Sequence, residues 1–227
     1  MRKTAVIVAG GIGQRMGGHI PKQFMELQNK PLIWYTLDTF LRSYEDLSIV
    51  LVLPETHIEL GKKVAESLHQ QARIQFTTGG ITRFHSVKNG LKLVQSPSVI
   101  MVHDAVRCLV SVPLIHRCCK TALIKGTAIP SVASTDSVRI VNGQTNQSAD
   151  RQKVRVIQTP QTFLSDILLP AFNQPYQESF TDEATVVESF GVPVFLTEGE
   201  YENIKITRPV DMILASSILQ ERMLHKP

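Results

Sequence analysis

Apolar runs and amphipathic stretches alternate along this chain. Residues 4–9, 47–53, 73–77, 99–103, 127–132 and 192–197 are short, apolar and rich in β-branched side chains, as buried strands are. Residues 31–41, 55–70, 84–94, 113–124 and 209–224 instead carry apolar positions three and four apart, the period of a helix. Pro31, Pro113 and Pro209 stand near three of these helix starts, where a missing N–H is no loss. The rhythm predicts an α/β fold with a mostly parallel sheet and helices on both faces. In such sheets ligands bind beyond the carboxyl ends of the strands.

One segment breaks the rhythm. Residues 137–141 and 154–157 alternate apolar with polar or basic side chains around a polar stretch at 142–151, which predicts a β-arm at about 136–157. A two-stranded ribbon is marginal alone, so it needs a partner surface. A second copy of the chain is the economical candidate, and folding back on its own domain is the alternative. The remaining pattern shows no repeat, linker or low-complexity tract, and the 227 residues suit one domain.

Composition narrows the partners. With 24 basic and 20 acidic residues the net charge is only +4, and the basic residues are dispersed among Gly, Thr and Asp motifs. That favours a small anionic substrate over nucleic acid, for which a basic stripe with interleaved aromatics is missing. The three cysteines, Cys108, Cys118 and Cys119, have neither disulfide nor zinc spacing, so a reducing, cytoplasmic setting is expected. No apolar run approaches the ~18 residues of a membrane span.

Candidate chemistry gathers at predicted strand ends. After the first strand come Ala9-Gly10-Gly11-Ile12-Gly13-Gln14-Arg15-Met16-Gly17 and then Pro21-Lys22-Gln23-Phe24. Met16 occupies the place of a dinucleotide fingerprint's third glycine, and no contiguous Gly-Lys-Ser/Thr forms a P-loop. Glycine amides backed by Arg15 and Lys22 read as a triphosphate cradle, with a tight turn beside solvated charges as the plain alternative.

Gly79-Gly80 ends another strand, and Ser86 follows one turn into a helix, where it could meet a base or sugar or serve as a cap. Asp104 and Arg107 follow an apolar run and could orient hydroxyls and grip a phosphate, or pair with each other. His103 reads as a core histidine. Thr135 and Thr159 bracket the arm that carries Arg151, and each also suits turn or surface chemistry. Thr181-Asp182-Glu183 reads as a helix cap with acids in the first turn. Around Lys205, a short strand is expected to point Ile204 and Ile206 inward and Asn203, Lys205 and Thr207 outward.

In this order the motifs resemble the 2-C-methyl-D-erythritol 4-phosphate cytidylyltransferase family. Five carry the likeness over essentially the whole chain: the glycine loop with Pro-Lys-Gln-Phe, Gly-Gly-x-x-Arg-x-x-Ser, His-Asp-Ala-x-Arg, Thr-Pro-Gln-x-Phe and Asn-Ile-Lys-Ile-Thr-Arg-Pro-x-Asp. The resemblance implies a Rossmann-like nucleotidyltransferase fold whose β-arm interlocks a homodimer. It implies transfer of a cytidylyl group from CTP to the methylerythritol phosphate, with Mg²⁺ carried mainly by the CTP phosphates and no metal site of the protein's own. Ala9, Gly10, Gly80 and Ser86 would surround cytosine and ribose, and Gly11 and Gly13 would hold the phosphate tail. Arg15, Lys22 and Lys205 would be catalytic. Asp104, Arg107, Thr135, Thr159 and the partner-supplied Arg151 would bind the acceptor. Ile81, Val106 and Cys108 depart from the residues common in relatives. Cytidylyltransferases for ribitol 5-phosphate, which share the nucleotide motifs, and a non-catalytic nucleotide-binding module are the alternative readings.

Overall fold

The computed structural model describes residues 1–10 and 21–224. Strand β1 (Arg2–Val8) leads, after a short hairpin of β2 (Glu26–Leu27) and β3 (Lys30–Pro31), into α1 (Leu32–Ser43). Then follow β4 (Leu47–Leu53), α2 (Ile58–Glu66), β5 (Ile74–Thr78), α3 (Arg83–Leu91), β6 (Ser98–Asp104), α4 (Val112–Lys125) and β7 (Thr127–Ala133). The second half holds β8 (Val138–Asn142), β9 (Thr145–Ala149), β10 (Arg155–Ile157), β11 (Gln161–Leu164), α5 (Ser165–Ala171), α6 (Glu183–Ser189), β12 (Leu196–Glu198) and α7 (Pro209–Leu224).

The main sheet runs β10-β7-β11-β6-β1-β4-β5, with β12 also on β7. Strands β6, β1, β4 and β5 pair in parallel, and β10 and β11 run antiparallel to their neighbours. Side chains alternate strictly between the two faces. Ala5, Ile7, Ile49, Leu51, Val99 and Met101 pack on one face with Leu37, Phe40 and Leu114 of α1 and α4. Val6, Val50, Val52, Ile100 and Val102 pack on the other with Phe84, Val87 and Leu168 of α3 and α5. This period of two, buried on both sides, makes the strands read as continuous apolar runs.

The chain builds outward from β1 to β4 and β5, then returns to place β6 on the opposite side of β1. The carboxyl ends of β1 and β6 therefore flank a topological switch point, where diverging connections leave a crevice. Local chemistry fixes the helix ends nearby. Ser111 caps α4 by accepting from the Leu114 amide at 3.1 Å, and Gly126, at φ +86°, stops it.

At four predicted segments the structure departs from the sequence pattern. The arm's second strand is the polar segment β9, paired with β8 through a two-residue turn that starts at Gly143, φ +57°. The apolar segment expected in that role forms β10 and joins β7 in the main sheet, where its side chains find more surface. Of residues 192–197, only the end forms strand β12, because Pro193 has no N–H to pair. The helix expected at 55–70 is shortened to α2, ending before the left-handed Gln70. The segment around Lys205 is extended but belongs to no strand, and Asn203 is fully buried instead of outward. Among the described residues no helix is long and apolar enough to cross a membrane.

Candidate active site

A cavity of about 270 Å³ opens at the switch point. Ala9, Gly10, Lys22, Gly80, Ser86, Asp104 and Lys205, all anticipated from sequence, line it together. One wall is backbone. Ala9 N–H donates to Val52 at 2.9 Å and Gly79 N–H to Leu53 at 2.8 Å, so the ladder carries both strand ends to the cavity edge. Ser86 Oγ accepts from Gly80 N–H at 3.0 Å and donates to the Thr82 carbonyl at 3.0 Å. Its hydroxyl thus shapes the glycine turn and leaves one lone pair for a ligand. A side chain at Gly80 would collide with the His85 backbone, which is why this turn needs glycine.

The opposite wall is ionic. Asp104 Oδ2 accepts from Lys205 Nζ at 2.8 Å, and Asp104 Oδ1 from Arg83 at 3.2 Å. Arg83 is gripped from behind by Glu183, whose two oxygens meet its two terminal nitrogens. Glu183 is 1% exposed, so its part is more than the helix-dipole role read from sequence: Asp182 caps α6 with Thr185 in a capping box, and Glu183 anchors Arg83. Burial opposes the charge of Asp104, but Arg83, Lys205 and Arg107 outweigh it and hold the carboxyl well below the ordinary range. Three cations face two carboxylates here, leaving a net positive site for an anion.

Behind Asp104 lies a buried relay. Asp104 N–H donates to Thr159 Oγ1 at 3.1 Å, and Thr159 Oγ1 meets His103 Nδ1 at 2.9 Å. His103 Nε2 lies 3.2 Å from the Arg107 carbonyl, an acceptor only, so Nε2 carries the proton and Nδ1 accepts from Thr159. Burial pushes His103 down to about 3, keeping it neutral. Thr159 is therefore 4% exposed and occupied internally, away from the cavity lining.

Arg107 does not open outward with Asp104 as its spacing suggested. Its guanidinium donates to the Asn203 carbonyl at 2.8 Å and the Ile157 carbonyl at 3.3 Å, and its buried Nε, without a hydrogen-bond partner, lies 3.9 Å from Asp104 Oδ2 as an ion pair. Thr135 and Arg151 lie at the base of the arm, where Arg151 Nη1 reaches the Thr135 carbonyl at 3.5 Å; both are exposed and neither lines the cavity. Gly11, Gly13 and Arg15 lie outside the described residues.

Sequence reasoning gave no place in the site to Arg83, Gln23 or Asn203, and gave Glu183 only a helix-dipole role. Gln23 donates to the Ala9 carbonyl at 2.8 Å and so ties the Lys22 turn to the end of β1. Asn203 holds the Thr159 carbonyl at 2.9 Å. Arg83 stood inside a quoted motif, and its fixed place between the glycine pair and Ser86 was the signal available.

The sequence profile of the IspD family, 2-C-methyl-D-erythritol 4-phosphate cytidylyltransferase, matches residues 3–221. The chain belongs to this family. An IspD relative from Bacteroides fragilis is 42% identical over 96% of this chain and 100% of its own. Another from Porphyromonas gingivalis is 42% identical over 96% of this chain and 98% of its own. The crystal structure of 4-diphosphocytidyl-2C-methyl-D-erythritol synthase from Anaerococcus prevotii superposes with a TM-score of 0.83 at 28% identity, covering 96% of this chain and 98% of that one. The corresponding cytidylyltransferase from Thermus thermophilus gives a TM-score of 0.73 at 26% identity, covering 95% and 98%. The IspD match spans both walls of the cavity, from Ala9 to Lys205.

Proposed function

We infer that this chain transfers the cytidylyl group of CTP to 2-C-methyl-D-erythritol 4-phosphate, giving 4-diphosphocytidyl-2-C-methyl-D-erythritol and pyrophosphate in the non-mevalonate isoprenoid pathway. The observation that carries the reading is the cavity itself: a glycine-backed peptide wall facing Lys22, Lys205 and Asp104, in a member of the IspD family.

In this reaction a phosphate oxygen of the acceptor attacks the α-phosphorus, a new P–O bond forms, and the bond to the β-phosphate bridging oxygen breaks as pyrophosphate leaves. The nucleophile is already an anion, so the task is alignment and charge compensation. Ala9, Gly10, Gly80 and Ser86 hold the cytidine, and Gly11 and Gly13 the phosphate tail. Arg15 and Lys22 offset charge on the α-phosphate and pyrophosphate. Lys205, with 44% of its side chain exposed, turns from Asp104 to phosphate, while Arg83 keeps Asp104 compensated.

Asp104 orients acceptor hydroxyls. Arg107 and Thr159 support the acceptor region from behind Asp104, and Thr135 borders it, with Arg151 contributed by the arm of a second subunit. The exposed Ile140 and Val141 on the arm support its docking on another copy. Mg²⁺ would be carried mainly by the CTP phosphates, whose charge it would neutralise, and Asp104 is the carboxylate in the cavity lining that could meet its hydration shell. The free, buried cysteines accord with a reducing cytoplasm. We regard the chain as one nucleotidyltransferase domain with a dimerising arm.

Pyrophosphate release from CTP and Mg²⁺ is the direct test. The methylerythritol phosphate is expected to drive it; preferential use of ribitol 5-phosphate, or no product with either despite CTP binding by calorimetry, would overturn the assignment.

A further inference from the structure

The 21–24 turn has two faces. Lys22 and Gln23 line the cavity described above, whereas Pro21 and Phe24 line a second cavity of about 660 Å³ on the other side. The second cavity is closed by Lys30 and Pro31, by Trp34 of α1, and by His57, Leu60 and Lys63 at and within α2. The two cavities share no lining residue.

Three observations define what would fit there. The walls are aromatic and aliphatic, with the Phe24 and His57 rings edge-on at 6.0 Å. Trp34 Nε1 and His57 Nδ1 are both buried without a hydrogen-bond partner. Each such atom forgoes a hydrogen bond, so a ligand that shifts either ring enough to reach it would gain one. Finally, the lining holds two ammonium groups, Lys30 and Lys63, and no carboxylate. Lys30 Nζ already lies 4.5 Å from the centre of the Trp34 ring, so a flat π-system entering beside the indole meets both apolar surface and positive charge.

We propose that this cavity binds a small planar aromatic anion, and that its occupancy is transmitted to Lys22 through the 21–24 turn. The turn is short and tied at both ends: Phe24 N–H donates to the Pro21 carbonyl at 2.8 Å, and Gln23 to Ala9. A ligand that displaces Pro21 or Phe24 therefore displaces Lys22. The binding half of the proposal stands on the cavity alone, and the coupling half rests on the assignment of CTP to the first site.

The sequence supplies its own reporter, because Trp34 is the single tryptophan. The probe is 8-anilinonaphthalene-1-sulfonate, a flat aromatic anion, titrated into the intact protein while Trp34 emission is followed. Saturable quenching with one probe per chain is expected. Lys63→Glu, an exposed position on α2, should weaken it roughly tenfold, whereas Lys120→Glu, the same charge change on α4 far from the cavity lining, should not.

Added CTP with Mg²⁺ should change the probe affinity by a finite factor that plateaus, the mark of coupled sites. Absence of saturable quenching, or equal effects of the two glutamate variants, would overturn the site. Displacement that grows without limit as CTP rises would show a shared site, and indifference to CTP would remove the coupling. Calorimetry on the same samples reports CTP binding independently, so a failure of the nucleotide assignment is seen as such.

Discussion

The Arg83 guanidinium joins two carboxylates that lie far apart in sequence, and its position depends on Glu183 more than on any neighbour in the chain. Glu183→Gln leaves a part-buried cation that keeps Asp104 but loses one charge-assisted partner, which should lower unfolding stability by about 2 kcal/mol in urea titrations. The pair Arg83→Met with Glu183→Leu should recover much of that loss while leaving cytidylyl transfer impaired, separating the cost of an unpaired charge from the use of Arg83 at the site. His103 makes a different prediction. Its folded pKa is depressed to about 3, so between there and the ordinary value of about 6.5 the unfolded chain binds the extra proton. Stability therefore rises with pH across that window and is lost on acidification, by about 2 kcal/mol between pH 7 and pH 5. His103→Gln should flatten the urea midpoint between those two pH values. The core place of His103 was legible in the sequence, but its link to Thr159 and the pairing of Arg83, one letter of a motif, were not: a buried pairing is set by which elements come to lie against each other.

At the scale of elements, periodicity carried most of the fold. Strands β1, β4, β5, β6 and β7 and the long helices follow from apolar spacing because both sheet faces are covered, so each inward position had to be apolar. Element β11 escaped notice because it is four residues long and partly polar, its buried Gln161 bonding Asp182 and the Ala184 amide. The arm misled for a related reason: the apolar segment 154–157 looked like its second strand, but apolar strands gain more by joining a large sheet than a ribbon. Helix α3 illustrates packing that spacing alone does not display. A Cβ on Gly90 would lie 2.6 Å from Val6 and 2.9 Å from Val52, so the helix approaches the sheet closely enough to require glycine. Gly90→Ala should destabilise by about 1 kcal/mol, overpacking outweighing the better helix propensity of alanine, as read from the thermal midpoint.

For the whole molecule, assembly turns on the arm. Among the described residues hairpin β8–β9 pairs only with itself, and it exposes Ile140 and Val141, while Arg151 and Thr135 stand at its base outside the cavity of their own chain. If arms cross between subunits, mixed dimers of an Arg151→Ala chain and a Lys22→Ala chain should regain part of the activity that each homodimer lacks; verified mixed dimers without recovery would count against exchange. The sequence by itself determined the α/β class and many of the residues that meet around the first cavity, from Ala9 to Lys205, because periodic burial and glycine-rich strand ends are written locally. Only the tertiary structure decided that Arg83 and Glu183 brace Asp104, that Arg107 and Thr159 turn inward, and that a second cavity backs the Lys22 turn. Those outcomes depend on the order of strands in the sheet, which brings residues tens of positions apart within hydrogen-bonding distance and leaves no periodic trace along the chain.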